Sequence, residues 1–200
     1  MNQTPSIALL ARLLLLAGFA WNVVLFARAL RRNFTRPGGV PLLMLWLAVC
    51  GTVAIVVDGW LLATVEVQLV FALIGLALVM LSQVVFQAAV RATAQHRLSL
   101  AFSADAPAHL NDRGIYARVR HPFYLAYTLN WLGAATATRH GAAFLLLALM
   151  LGFYIAAARR EEQKFLQSPL ARAYNTYRRQ AGMFLPKIFR QPNLSQKPNT

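Results

Sequence analysis

From Val67 to Val90 no residue carries a charge, and most are Leu, Val, Ala or Phe. A helix over such a stretch is apolar all round, which suits a bilayer whose hydrocarbon core takes about 20 residues to cross. Two further runs, Ile7–Ala27 and Val40–Trp60, are similarly apolar, each interrupted by one charged residue, Arg12 and Asp58. Two shorter ones, Pro122–Ala137 and Ala142–Ala158, are joined by Thr138-Arg139-His140-Gly141 and read as a tight hairpin of short helices. The expected fold is therefore all-α: a polytopic membrane protein with about five transmembrane helices. Composition agrees, since 58% of the 200 residues are hydrophobic and 13% charged, against about 25% charged in soluble domains. The first run lacks the basic start of a signal peptide and exceeds the usual apolar region of about 7–15 residues. It reads as a retained helix, with Arg12 snorkelling to the interface. Residues 1–190 read as one membrane domain and 191–200 as a disordered polar tail.

The net charge is +14. In a soluble protein that would suggest nucleic acid; here its distribution suggests lipid headgroups instead. Apart from Arg12 and Arg139, every Lys and Arg falls between 28 and 36, between 91 and 120, or between 159 and 197. These stretches alternate with the apolar runs so that all lie on one side. The positive-inside rule then puts the N-terminus outside and the C-terminus in the cytoplasm. Arg12, Arg139, Asp58 and Glu66 fall towards the other side. The single cysteine, Cys50, excludes an intramolecular disulfide and a multi-cysteine metal centre. His96, His109 and His140 lack metal-ligand spacing, so no metal is expected. Nucleotide-binding loops and nucleophile elbows are absent as well.

Chemistry is concentrated near the basic boundary. Pro122 suits the first turn of a helix and pushes His121 towards an extended conformation. Arg120 and His121 then stand at a helix mouth, a natural place for an anionic ligand group. Tyr124, Tyr127 and Trp131 follow as a stripe on one face. An arginine-rich loop with an aromatic belt at the headgroups explains the same residues. Glu161 and Glu162, read as lying at the end of the fifth helix, oppose its macrodipole. Either neighbouring Arg159, Arg160 and Lys164 compensate on a solvated face, or the pair binds a cationic or hydroxyl-rich ligand. Ser168-Pro169 reads as a cap and first turn, opening a basic amphipathic helix that extends to Ala181 and carries Leu170, Tyr174 and Tyr177 on one face. It is either an interfacial anchor or a lid. Gln83 and Gln87 suggest helix–helix hydrogen bonds, and Ala148, Gly152 and Ala156 a close-packing face.

In order, Gly114-Ile115-Tyr116, Arg120-His121-Pro122-Phe123-Tyr124, a short hairpin, Glu161-Glu162 and Tyr174-x-x-Tyr177 resemble the isoprenylcysteine carboxyl methyltransferase and phospholipid methyltransferase superfamily. The likeness covers roughly Leu98 to Pro186. It departs at Ala126, where a glycine is common, and near Gly182, where a proline is common. The resemblance implies S-adenosylmethionine as cofactor, with Arg120, His121, Tyr124, Glu161 and Glu162 as its binding candidates. It implies Arg178 as a catalytic candidate on the acceptor side. The acceptor would be a lipid or isoprenoid-like molecule reached from the membrane. The bias of 17 Arg against 3 Lys suggests a bacterial inner membrane, with the site facing the cytoplasm. Two other readings fit part of the pattern: an NADPH-dependent reductase of the sterol reductase type, and a non-enzymatic membrane accessory protein.

Overall fold

The computed structural model describes residues 4–32, 34–35, 42–94, 98–99, 107 and 109–187. Within them lie six α-helices: α1 (Thr4–Arg32), α2 (Leu42–Thr64), α3 (Leu69–Ala92), α4 (Pro122–Thr138), α5 (Gly141–Leu166) and α6 (Ala171–Gln180). The fold is all-α, as the apolar runs imply. Two-residue strands β1 (Phe34–Thr35) and β2 (Leu98–Ser99) pair in parallel and tie the loop after α1 to the loop after α3. Both basic loops are thereby held at one end of the bundle. The proposed tail at 191–200 lies outside the described residues, as do Arg36, His96, Arg97, Arg190 and Lys197.

Four helices, α1, α2, α3 and α5, are long and apolar enough to cross a bilayer. The chain is an integral membrane protein. The fifth apolar run is not short: α5 has 26 residues and continues well past Ala158. Arg159, Arg160, Glu161, Glu162, Gln163 and Lys164 are all good helix formers, so the helix persists after its apolar stretch ends. The glutamates consequently lie inside the helix and not at its terminus. The short member is α4, with 17 residues. It runs through the middle of the bundle, where Gly133, Ala134, Ala135 and Ala137 are all buried.

The tightest crossing joins α3 to α4. A Cβ added at Gly75 would lie 2.6 Å from the Gly133 carbonyl oxygen, and one at Gly133 would lie 2.8 Å from the Gly75 oxygen. The two backbones touch there because neither residue has a side chain. The small residues of α5 do not form the expected packing face: Ala148, Gly152 and Ala156 are exposed, and a Cβ at Gly152 would meet nothing within 4 Å. Small residues at helical spacing are as compatible with a lipid-facing surface as with a contact.

Polar groups join the helices at other places than Gln83 and Gln87, which are half-buried. The Ser82 hydroxyl donates to the Ala126 carbonyl at 2.7 Å. The Asn22 amide donates to Val79 O and to Asn130 Oδ1, each at 3.0 Å. Arg12 has partners within the protein. Its guanidinium donates to Leu62 O at 2.7 Å and also to Ala63 O, satisfying carbonyls that the end of α2 leaves without intrahelical partners. Asp58 is fully buried within α2.

Candidate active site

Geometry brings the ends of the α4–α5 hairpin together. Arg139 takes a left-handed conformation (φ 52°) and ends α4, and α5 begins at Gly141. At about 1.5 Å per residue, α4 is about 26 Å long. The same length along α5 reaches Ala157, so Glu161 and Glu162 stand about one turn beyond the start of α4. Extended backbone before Pro122 covers that difference. Pro122 is the first residue of α4 and His121 its cap, with φ −125° and ψ 64°, outside the helical region as a residue before proline should be.

That extended segment has a partner the sequence reading did not supply. Val119 bridges to Gly182 in parallel. The Gly182 N–H donates to Arg118 O at 3.0 Å, the Arg120 N–H to Gly182 O at 2.8 Å and the His121 N–H to Met183 O at 3.1 Å. A proline at 182 would remove the first of these donors. A Cβ there would overlap the Leu185 carbonyl oxygen.

Five of the six predicted site residues meet. Arg120 Nε and Nη2 both lie 2.8 Å from Glu162 Oε1. His121 Nε2 is 3.2 Å from the same oxygen, and its Nδ1 is 3.5 Å from Glu161 Oε2. The Tyr124 hydroxyl donates to Glu161 Oε1 at 2.5 Å. The Arg120 and Glu162 side chains are 9% and 10% exposed, while Glu161 keeps 29%. Glu162 is therefore the inner carboxylate, tied to the fold, and Glu161 the outer one. Arg178 is placed differently. It is exposed on α6, and its carbonyl, not its guanidinium, accepts from Arg120 Nη1 at 3.3 Å. The Ala181 carbonyl accepts from the same nitrogen at 2.5 Å. Lys187 Nζ donates to Arg178 O and Arg179 O at 2.8 and 3.0 Å. Two cations thus cap the negative end of α6.

α6 begins later than Ser168-Pro169 suggests. Leu170 is the residue before its first turn, and the Ser168 hydroxyl accepts from the Leu170 N–H at 3.1 Å in a local turn. Its apolar face is turned onto the protein. Tyr174 stacks on Phe165 with centroids 4.8 Å apart, and the Tyr177 hydroxyl donates to Tyr116 O at 2.7 Å. That face is covered by the chain itself, contrary to a simple interfacial anchor.

Burial alone would lower the His121 pKa, but hydrogen bonds and charge from Glu161 and Glu162 outweigh it and raise the value above 6.5. The folded protein then holds this proton more tightly than the unfolded chain. The stabilisation is full below 6.5 and is lost as pH rises through the raised value. Thermal unfolding measured across that range should show wild-type protein losing stability as pH rises, and His121→Asn losing less. An equally steep loss in His121→Asn would assign the titration to another group.

Aromatic rings line the approach. His121 stacks on Tyr124 (5.7 Å, 18°), and Phe184 meets His121 edge-on at 6.1 Å. Tyr154 on α5 stacks on Tyr124 as well, with centroids 5.4 Å apart; neither Phe184 nor Tyr154 is marked as a site residue by the sequence. Among the described residues no three His, Cys, Asp or Glu side chains are grouped to hold a metal ion. A sequence model described as phospholipid methyltransferase matches residues 70–173, which takes in α3, the Arg120–Tyr124 segment, both glutamates and the start of α6. Neither the curated proteins nor the solved structures contain a match to the chain.

Proposed function

Because the chain belongs to the phospholipid methyltransferase family, matching it over residues 70–173, we propose that it moves the methyl group of S-adenosylmethionine to a lipid or isoprenoid-like acceptor at the cytoplasmic boundary of the bilayer. The observation that carries this reading is the meeting of Arg120, His121 and Tyr124 with Glu161 and Glu162 at the basic end of the bundle.

The donor set suits such a cofactor. Glu161 is partly exposed and has carboxylate lone pairs to offer an ammonium group or ribose hydroxyls. The Tyr124 ring is stacked against His121 and Tyr154, so its part is to hold Glu161 through its hydroxyl. Arg120 is fully engaged with Glu162, Ala181 and Arg178, so its part is to hold the inner carboxylate and α6 in place. His121 bridges both carboxylates and sets their separation. When bound, S-adenosylmethionine supplies an electrophilic methyl group. The transfer is an in-line displacement, which depends on alignment more than on a strong base. Arg178, exposed on α6, is the candidate to meet a polar group of the acceptor. The acceptor's apolar part stays in the bilayer beside the lipid-facing helices.

The N-terminus is outside and the C-terminus inside in this reading, by the basic asymmetry of the loops. Purified full-length protein should bind S-adenosylmethionine and not NADPH. In membrane vesicles, labelled methyl transfer to lipid should appear when the cytoplasmic face is outward and not when it is enclosed. Glu161→Gln should weaken cofactor binding by about 1.5–3 kcal/mol, the worth of a charge-assisted hydrogen bond. Binding of NADPH alone, or undiminished cofactor binding in Glu161→Gln, would overturn the assignment.

A further inference from the structure

α4 and α5 face one another through two polar rungs. At the end of the bundle the Tyr124 hydroxyl donates to Glu161 Oε1 at 2.5 Å. Deeper, the Trp131 indole N–H donates to the Tyr154 hydroxyl at 3.0 Å. Tyr124 and Trp131 are seven residues apart on α4, and Tyr154 and Glu161 seven apart on α5. Seven residues are close to two turns, so each pair occupies one face of its helix and both rungs share one antiparallel register. The rungs are also joined directly. The Tyr124 and Tyr154 rings stack with centroids 5.4 Å apart and planes 10° from parallel.

We propose that Trp131 and Tyr154 are positioning residues for methyl transfer. They fix the axial register of α5 against α4 and hold the Tyr124 ring and, through its hydroxyl, the Glu161 carboxylate. Trp131 and Tyr154 are 5% and 4% exposed. A buried indole N–H needs an acceptor, and here the Tyr154 oxygen is the one provided. A slip of one residue moves α5 by about 1.5 Å, more than either hydrogen bond tolerates. The deep rung thereby keeps the shallow one in place while Glu161 remains partly open to solvent and ligand. This inference rests on the reading of Glu161 as a cofactor contact.

The test is the affinity of the full-length protein for S-adenosylmethionine. Tyr154→Phe retains the ring and removes the acceptor, and should weaken binding about three- to tenfold, the range expected for one hydrogen bond. Trp131→Phe should do the same, and the double variant should be no worse than either single one, since both remove one interaction. In a Tyr124→Phe background, where the hydroxyl that holds Glu161 is gone, Tyr154→Phe should add little. A merely structural role would not make the effect depend on Tyr124. Wild-type binding with unchanged affinity in Tyr154→Phe would overturn this inference alone, as would an undiminished effect in the Tyr124→Phe background. Failure of the wild-type protein to bind S-adenosylmethionine would overturn the functional reading and this inference with it.

Discussion

Glu162→Ala is expected to disable the site and to destabilise the protein by about 3–5 kcal/mol, the usual consequence of leaving one partner of a buried ion pair alone. The carboxylate meets Arg120 through two nitrogens and His121 through a third. Arg120 also holds the end of α6 through Ala181 and Arg178, so its displacement loosens that end of α6 as well. Glu162→Gln keeps the volume and one acceptor oxygen and should be milder in stability. Thermal unfolding in detergent and cofactor binding measure the two consequences separately. A Glu162→Ala protein with wild-type melting behaviour and binding would mean that the inner carboxylate is dispensable to both.

The second large effect lies away from the site. Gly133→Leu is expected to prevent α4 from docking on α3. The new Cβ alone would stand 2.8 Å from the Gly75 oxygen and 2.8 Å from a Val79 methyl. Gly75→Ala meets the Gly133 oxygen at 2.6 Å and the Ala137 Cβ at 2.8 Å. It should cost about 1–3 kcal/mol, as overpacking by a single carbon commonly does. The obstacle is backbone in both cases, so relief requires separating the helices. α4 carries Tyr124 on its first turn, so separation also moves the site. Gly152→Ala is the control: nothing lies within 4 Å of its Cβ, and replacing a helical glycine should leave stability unchanged or raise it by about 0.5–1 kcal/mol. Protease resistance and elution of the purified variants distinguish these outcomes. A well-folded Gly133→Leu protein would contradict the close crossing.

Local features carried much of the sequence reading. The charge-free run at 67–90 implied α3 within two residues of its observed limits at either end, because hydrophobic length is a local quantity. Pro122 marked the start of α4 through its own stereochemistry. The likeness carried by Arg120–Tyr124 and Glu161-Glu162 drew attention to residues that the hairpin does bring together. Illegible features depend on pairs distant in sequence. Nothing near Gly75 indicates that Gly133 faces it, and nothing near His121 indicates that Met183 accepts its amide hydrogen. The reach of α5 is not legible in hydropathy, which ends at Ala158 while helix propensity does not. Tyr154 is illegible for a related reason: an isolated tyrosine in an apolar helix has no local signature until Trp131 is seen opposite it.

The backbone pairing between residues 118–121 and 182–183 also bears on the order of biosynthesis. Arg120 and His121 emerge from the ribosome with the start of the hairpin, but the carbonyls that fix their amides belong to Gly182 and Met183. The Ala181 oxygen that anchors the Arg120 guanidinium lies 61 positions downstream. Every apolar helix is therefore synthesised before the last supports of the site exist. A nascent or truncated chain ending before Gly182 can possess the whole bundle and still lack an ordered place for a ligand. Arrival of residues 181–183, and not insertion of the helices, is the step that completes the backbone support of the site.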